Sequence, residues 1–401
     1  MNENIKKNSD CKIKLQLQFR YGDIIRKASQ SEDAEVLDTI SKYTIVEPDD
    51  IMINGLNLNY DFISQRVAQV KEEGVITSAY ISLRPTEIAN SRYYTYFLKS
   101  MDSKKMFHGM GTGIRLTLSY NELKNQFIAF PSKHEQEAIA NYLDAATSKI
   151  DSAIAQQQKM IDLLNERKQI IINNAVTKGL DPHVKMKPSG IDWIGDIPEH
   201  WEVIKLKSVT KKIGSGITPR GGGSVYVDDG IMFLRSQNIY FEGFKLDDVA
   251  YITEQIDSEM KNSRVYEGDI LFNITGGSIG RCRFVPKGFP KANVNQHVSI
   301  VRPDNYSTEY LFYVLRSYIC QLQVDMQQTG GNREGLTAKA LKNFVFPNPP
   351  SDEQISIISY LNKITLELES CIANCKKQIS LLQERKQIII NDVVTGKVKV
   401  V

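Results

Sequence analysis

The chain has 401 residues, 41% hydrophobic and 24% charged, with five cysteines and a formal net charge of +3. That length predicts two or three domains, and the composition excludes a disordered chain. No apolar run reaches the roughly 18 residues that a membrane span requires, no charged-then-apolar leader opens the sequence, and the cysteines lack a framework spacing, so the expectation is a cytoplasmic protein with no membrane partner. A charge this small leaves any basic surface to local clusters, such as Lys205, Lys207, Lys211, Lys212 and Arg220.

Residues 1–131 read as mixed α/β. Strand-like runs at 46–57 (VEPDDIMINGLN) and 76–85 (ITSAYISLRP) precede a helical YYTYFLKS at 93–100 and a glycine-containing stretch that ends in FP at 130–131. Ser132 then stands as an N-cap, with Glu135 a turn later. From there one face carries Leu143, Ala146, Ile150, Ile154, Gln157, Ile161, Leu164, Lys168, Ile171 and Ala175. After the first steps, from Ile150 on, their alternation by four and three is a coiled-coil seam.

A linker at 179–200 leads to a second mixed segment ending near 350, with strand-like runs at 230–241 (GIMFLRSQNIYF) and 268–274 (GDILFNI). After PPSDEQ, with Ser351 as the matching cap, a second long helix carries Leu361, Ile364, Leu368, Ile372, Cys375, Ile379, Leu382, Lys386, Ile389 and Val393 on one face.

The two helices are nearly one sequence: LLNERKQIIINNAVT begins at 163 and LLQERKQIIINDVVT at 381, 218 positions on. Both seams break at the same two places, Gln157/Cys375 and Lys168/Lys386. Polar seam positions fix register at a cost in stability, so shared breaks predict that the helices pair with each other over about 55–60 Å. The globular segments are related more distantly. Residues 46–57 parallel 265–277, 76–85 parallel 293–303, 93–100 parallel 310–317, and 109–131 parallel 328–350. The expected fold is therefore α+β: two mixed α/β domains separated by two long helices that form an antiparallel coiled coil, a pseudo-twofold tandem repeat. The boundaries follow as 1–132, 133–178, 179–200, 201–350 and 351–401.

No catalytic, cofactor or metal site emerges. Asn348-Pro349-Pro350 is followed by Ser351, where the amino-methyltransferase turn has an aromatic residue. His134-Glu135 lacks the second His of a zinc-protease helix, and the glycine-rich 273–281 lacks Gly-Lys-Ser/Thr. Cys371 and Cys375 have no further ligands nearby. What the loops do carry is hydrogen-bonding side chains beside glycine: Asn54, Asn57, Asn59, Arg66, Thr112 and Arg115 in the first segment. The second has Thr218, Arg220, Arg235, Gln237, Asn238, Asn273, Thr275, Ser278, Asn332 and Arg333. These side-chain types read base edges and hold phosphates, although turn chemistry alone also places Gly, Asn and Ser in loops.

The stretches GIDWIGDIPEHWEVIKLKSV (190–209), GSGITP, LRSQNI, GDILFNITGGSIGR and ERKQIII are similar to recurring segments of one family, and the whole chain resembles the specificity (S) subunit of Type I restriction–modification systems. The resemblance implies a non-catalytic subunit whose two target-recognition domains each bind half of a split double-stranded DNA site. It implies that the helices set the spacing and dock two modification (methyltransferase) subunits. Their seam would include Ile150, Ile154, Ile161, Leu164, Lys168, Leu368, Ile372, Ile379, Leu382 and Lys386. S-adenosylmethionine, ATP and Mg would belong to the methyltransferase and ATP-dependent restriction subunits, with no cofactor in this chain. The first domain departs from the pattern: it lacks the DWIGDIPEHWEVIKLK preamble and is expected to be of another recognition type or shortened at its N-terminus. Competing readings are an orphan or rearranged S subunit serving only methylation, a related phage-defence system, or a coiled-coil scaffold without DNA recognition.

Overall fold

The long helices begin where proline halts the preceding extended segment. In the computed structural model, which describes residues 1–28, 33–60, 63, 65–328 and 335–400, the first runs Lys133–Lys178 and the second Ser351–Val394. Ser132 and Glu135 cap the first reciprocally: the Glu135 N–H donates to Ser132 Oγ (3.3 Å) and the Ser132 N–H to Glu135 Oε2 (2.8 Å). The second starts at Ser351 itself. Buried Gln136 and Gln354 do the same work one repeat apart, each donating to the proline carbonyl five residues back, Pro131 at 2.9 Å and Pro349 at 3.0 Å.

The chain divides into two units, Met1–Lys159 with Cys375–Val401, and Met160–Asn374. Each long helix thus contributes one half to each. In the first unit the core strands are ordered Asn2–Glu3, Ile81–Arg84, Ile51–Ile53, Val67–Gln69, all antiparallel. The second unit repeats that order with Thr210–Ser215, Val298–Pro303, Ile270–Asn273 and Cys282–Phe284. A smaller antiparallel pair accompanies each sheet: Thr44–Val46 with Gly74–Ile76, and Arg264–Val265 with Ala292–Val294. Central strands are apolar at nearly every position, as sheets covered on both faces are. Helices Ser91–Ser103 and Thr308–Arg316 pack their Tyr93, Tyr94 and Leu98, or Tyr310, Leu311 and Leu315, into the respective cores.

A buried aspartate paired with a half-buried arginine pins both sheets at matching places. Arg84 forks onto Asp50 (2.9 and 2.8 Å) and Arg302 onto Asp269 (2.6 and 2.8 Å), with each aspartate also accepting a backbone N–H, from Glu47 or Tyr266.

The units differ between these shared parts. In the second unit Ile231–Leu234 lies parallel to Ala292–Val294 and pairs with Ala250–Ile252. The expected strand over 230–241 ends at Leu234, because Asn238 Oδ1 accepts the Arg235 N–H (2.9 Å) and turns the chain. The first unit has a Leu17–Arg20/Asp23–Arg26 hairpin and helix Ala34–Ser41 instead. The preamble is a core element: Ile194, Ile197, Trp201 and Leu206 are buried, and the Trp201 indole donates to Glu353 on the second long helix (3.0 Å).

Within each unit the helix halves run antiparallel. Leu143 packs with Ile390, Val393 and Val394 while Lys386 reaches Asp151 (2.7 Å). Ile172, Ala175 and Val176 share a core with Ile357 and Leu361 while Lys168 reaches Glu369 (3.4 Å). Asp151 and Glu369 are one repeat apart, as the lysines are. Of the other seam positions, Ile150, Ile161, Leu368 and Ile372 are buried, and Ile154, Leu164, Ile379 and Leu382 half-buried. Tyr96 and Tyr313 fasten each globular part to the helix that follows it, donating to Asp144 (2.8 Å) and Asn362 (2.7 Å).

Candidate nucleic-acid interface

In the second unit the turns around Gly216, Ile274 and His297 and the Gly335-Leu336 segment converge at one end of the main sheet. The Gly216 N–H donates to the Val298 carbonyl (2.9 Å), Ile217 to Val294 (3.2 Å), Ile274 to His297 (3.0 Å) and Leu336 to Ile274 (2.7 Å). Asn273 adds a side-chain bond to the Ser236 carbonyl (2.8 Å). Glycine is required where these strands cross: a Cβ on Gly216 would lie 2.0 Å from the Val294 oxygen, and one on Gly335 2.5 Å from the Thr275 methyl.

The first unit builds a smaller version. Leu58 donates to the Leu116 carbonyl (3.0 Å) and Leu118 to that of Gly55 (2.9 Å), so the 54–60 turn lies against the 112–118 turn. Thr112 and Thr117 exchange backbone hydrogen bonds around Gly113 at φ 76°. The Gly55–Leu118 bond is the counterpart, one repeat back, of Ile274–Leu336.

The candidate residues separate into frame and surface. Asn273 and Asn238 are buried; Asn238 donates to the Lys245 carbonyl (2.8 Å), and both hold turns in place. Arg66 spends its guanidinium on the carbonyls of Asn54, Leu56 and Asn57 (2.6 to 3.1 Å), and Asn54 Oδ1 accepts the Leu56 N–H. These hydrogen bonds give all four a role in holding the turns, the buried Asn238 and Asn273 satisfying their amides inside the protein. Arg235 and Gln237 share Asp248, at 3.7 and 2.9 Å. Thr275 bonds His297 Nδ1 (2.7 Å), and Ser278 accepts from Asn273 (3.2 Å). Asn57, Asn59, Thr112, Arg115, Arg220 and Gln237 are exposed, with Thr218, Thr275 and Ser278 half-buried. Asn332 and Arg333 lie outside the described residues.

Nothing in these turns resembles a reaction centre. The Cys282 thiol is pushed up to about 12 by burial, which leaves it protonated and inert. No group of three or more His, Cys, Asp or Glu that could hold a metal occurs among the described residues, and no helix there is long and apolar enough to cross a membrane.

A duplicated sheet frame presenting diverged polar turns matches the Type I restriction modification DNA specificity domain, whose family model aligns with residues 56–161 and 198–378. The chain belongs to this family. Specificity subunits of Type I systems are non-catalytic DNA-recognition subunits, so this family member carries recognition and not chemistry. It is 27% identical over 369 residues to the MjaVIII specificity subunit of Methanocaldococcus jannaschii, covering 90% of this chain and 81% of that one. It is 25% identical to the EcoBI specificity subunit of Escherichia coli over 70% of this chain and 60% of that one. A solved chain, from work described as the structural basis of complex assembly and conformational transition of the type I R-M system, superposes with a TM-score of 0.70 at 14% identity. The match covers 99% of this chain and 96% of that one, and it shows the same fold.

Sequence reasoning passed over Gln296 and His297, which lie in the same cluster of turns. They fall inside NVNQHVSIVRP, the stretch paired with 76–85, and the lack of likeness between NQH and its counterpart TSA was the available signal.

Proposed function

We propose that each unit reads one half of a bipartite duplex site, and that the long helices fix the distance between the halves and dock two methyltransferase subunits. S-adenosylmethionine, ATP and Mg serve partner subunits. One observation supports this reading above the others: the Gly55–Leu118 and Ile274–Leu336 bonds hold corresponding turns on corresponding frames, while the side chains those turns expose differ. A duplicated frame with unlike loops suits two readers of unlike sequences. A scaffold has no use for that divergence.

Sequencing of methylated adenines in cells with and without this gene tests the proposal. A split motif that disappears with the gene is the expected result, and an unchanged methylome overturns it. A motif that remains unrestricted in the presence of the gene identifies a system serving methylation alone.

A further inference from the structure

Tyr240 carries two cations on its ring. Lys245 Nζ lies 4.4 Å and the Arg281 guanidinium carbon 4.9 Å from the centroid. Neither has a carboxylate within ion-pair distance among the described residues. The loop's own acids are largely engaged elsewhere: Glu242 with Lys168, and Asp248 with Arg235 and Gln237, which leaves Asp247.

All three backbones are fixed. Tyr240 and Gly243 close a tight turn (3.0 and 3.3 Å), and Lys245 exchanges hydrogen bonds with Asn238 through its N–H (2.9 Å) and its carbonyl (2.8 Å). The Arg281 N–H donates to Ser278 (3.1 Å), while its carbonyl accepts from Asn273 (2.8 Å). The pair therefore stands in the same cluster of turns as the reading candidates, on a rigid base, with positive charge that no carboxylate among the described residues neutralises.

We propose that Lys245 and Arg281, seated on Tyr240, form a clamp for the phosphodiester backbone of the duplex read by the second unit. An ammonium is a point charge suited to phosphate, and aromatic faces orient cations without neutralising them. The clamp would position the duplex while neighbouring turns read bases. It rests on the DNA-reading function proposed above.

The test uses the full chain assembled with its methyltransferase subunits, the target duplex found by methylated-adenine sequencing, and an unrelated duplex of equal length. Binding is measured from 50 to 200 mM salt for the wild type and for K245Q/R281Q. Each phosphate contact contributes about 0.9 to the slope of log affinity against log salt. Losing two should weaken both duplexes alike and make the affinity loss across that range about 12-fold smaller than in the wild type. If the double variant fails to fold, K245Q alone, on an exposed side chain, should reduce the loss about 3.5-fold. An unchanged slope overturns the clamp, as does weakening confined to the target with relaxed choice at one base. A wild-type complex that binds both duplexes equally overturns the DNA-reading function itself, and the clamp with it.

Discussion

Asp269 and Lys168 are both buried charges with partners, yet their partners give them opposite energetic weight. Asp269 has no route to water: it is fully buried and depends on Arg302 and the Tyr266 N–H. Arg302→Met would strand that carboxylate and is expected to cost about 3–5 kcal/mol of unfolding free energy. Lys168 is 3% exposed, but its partners Glu369 and Glu242 keep 34% and 55% of their side-chain surface in water. Lys168→Met leaves both acids hydrated and puts an apolar stem in the seam, so the change should stay within about 1 kcal/mol. Urea denaturation of the two variants reads the contrast, and a larger loss for Lys168→Met would reverse the ranking. Sequence made the lysine visible because it interrupts a periodic pattern. The aspartate was hidden: its partner is 33 residues away, and no local period links them. The framing role of Asn238 and Asn273 was hidden for a related reason, since the amide that closes a turn is the same group that reads a base.

At the scale of elements, the seam is where periodicity becomes energy. Ile161 is 5% exposed on the first long helix, while Leu366 is 70% exposed on the second. Ile161→Asp should lose several kcal/mol and the capture of methyltransferase subunits, because a buried carboxylate there has no partner to offset its desolvation. Leu366→Asp should lose neither. Ile379 is half-buried, so Ile379→Asp should fall between them. Thermal melts followed by co-purification measure both effects, and normal assembly by Ile161→Asp would remove the seam from the docking mechanism. The helices were legible because their period persists over many turns in two copies. The convergence of these turns was not, since it depends on strand order, which places residues 216, 274, 297 and 336 together although the chain separates them widely.

The whole molecule is a duplication, and the fastening residues dictate how its halves can be exchanged. Replacing residues 197–350 with another recognition domain should change one half of the methylated motif and leave the other half and the spacing alone. The incoming domain must supply the equivalents of Trp201 and Tyr313, whose bonds to Glu353 and Asn362 join the domain to the second long helix. Methylated-adenine sequencing that shows both halves changed, or neither, would rule out one reader per unit.

The spacing itself should follow helix length. The two units exchange helix segments at Lys159–Met160 and at Asn374–Cys375, so one heptad inserted at each point preserves the three-and-four alternation on both helices. Each insertion adds about 10 Å of helix, equivalent to roughly three base pairs at 3.4 Å along each strand. The lysine–carboxylate contacts at Lys168–Glu369 and Lys386–Asp151 lie on opposite sides of the insertions and within their own units, so each should survive. A single insertion would instead shift one helix by two turns against the other and force one of these contacts apart. The double variant is therefore expected to fold and to methylate a motif with the same two halves about three base pairs further apart, at a lower rate because three pairs also turn the halves by about a third of a helical repeat. The single variant is expected to lose assembly. An unchanged spacing in the methylome of the double variant would show that something other than the helices sets it.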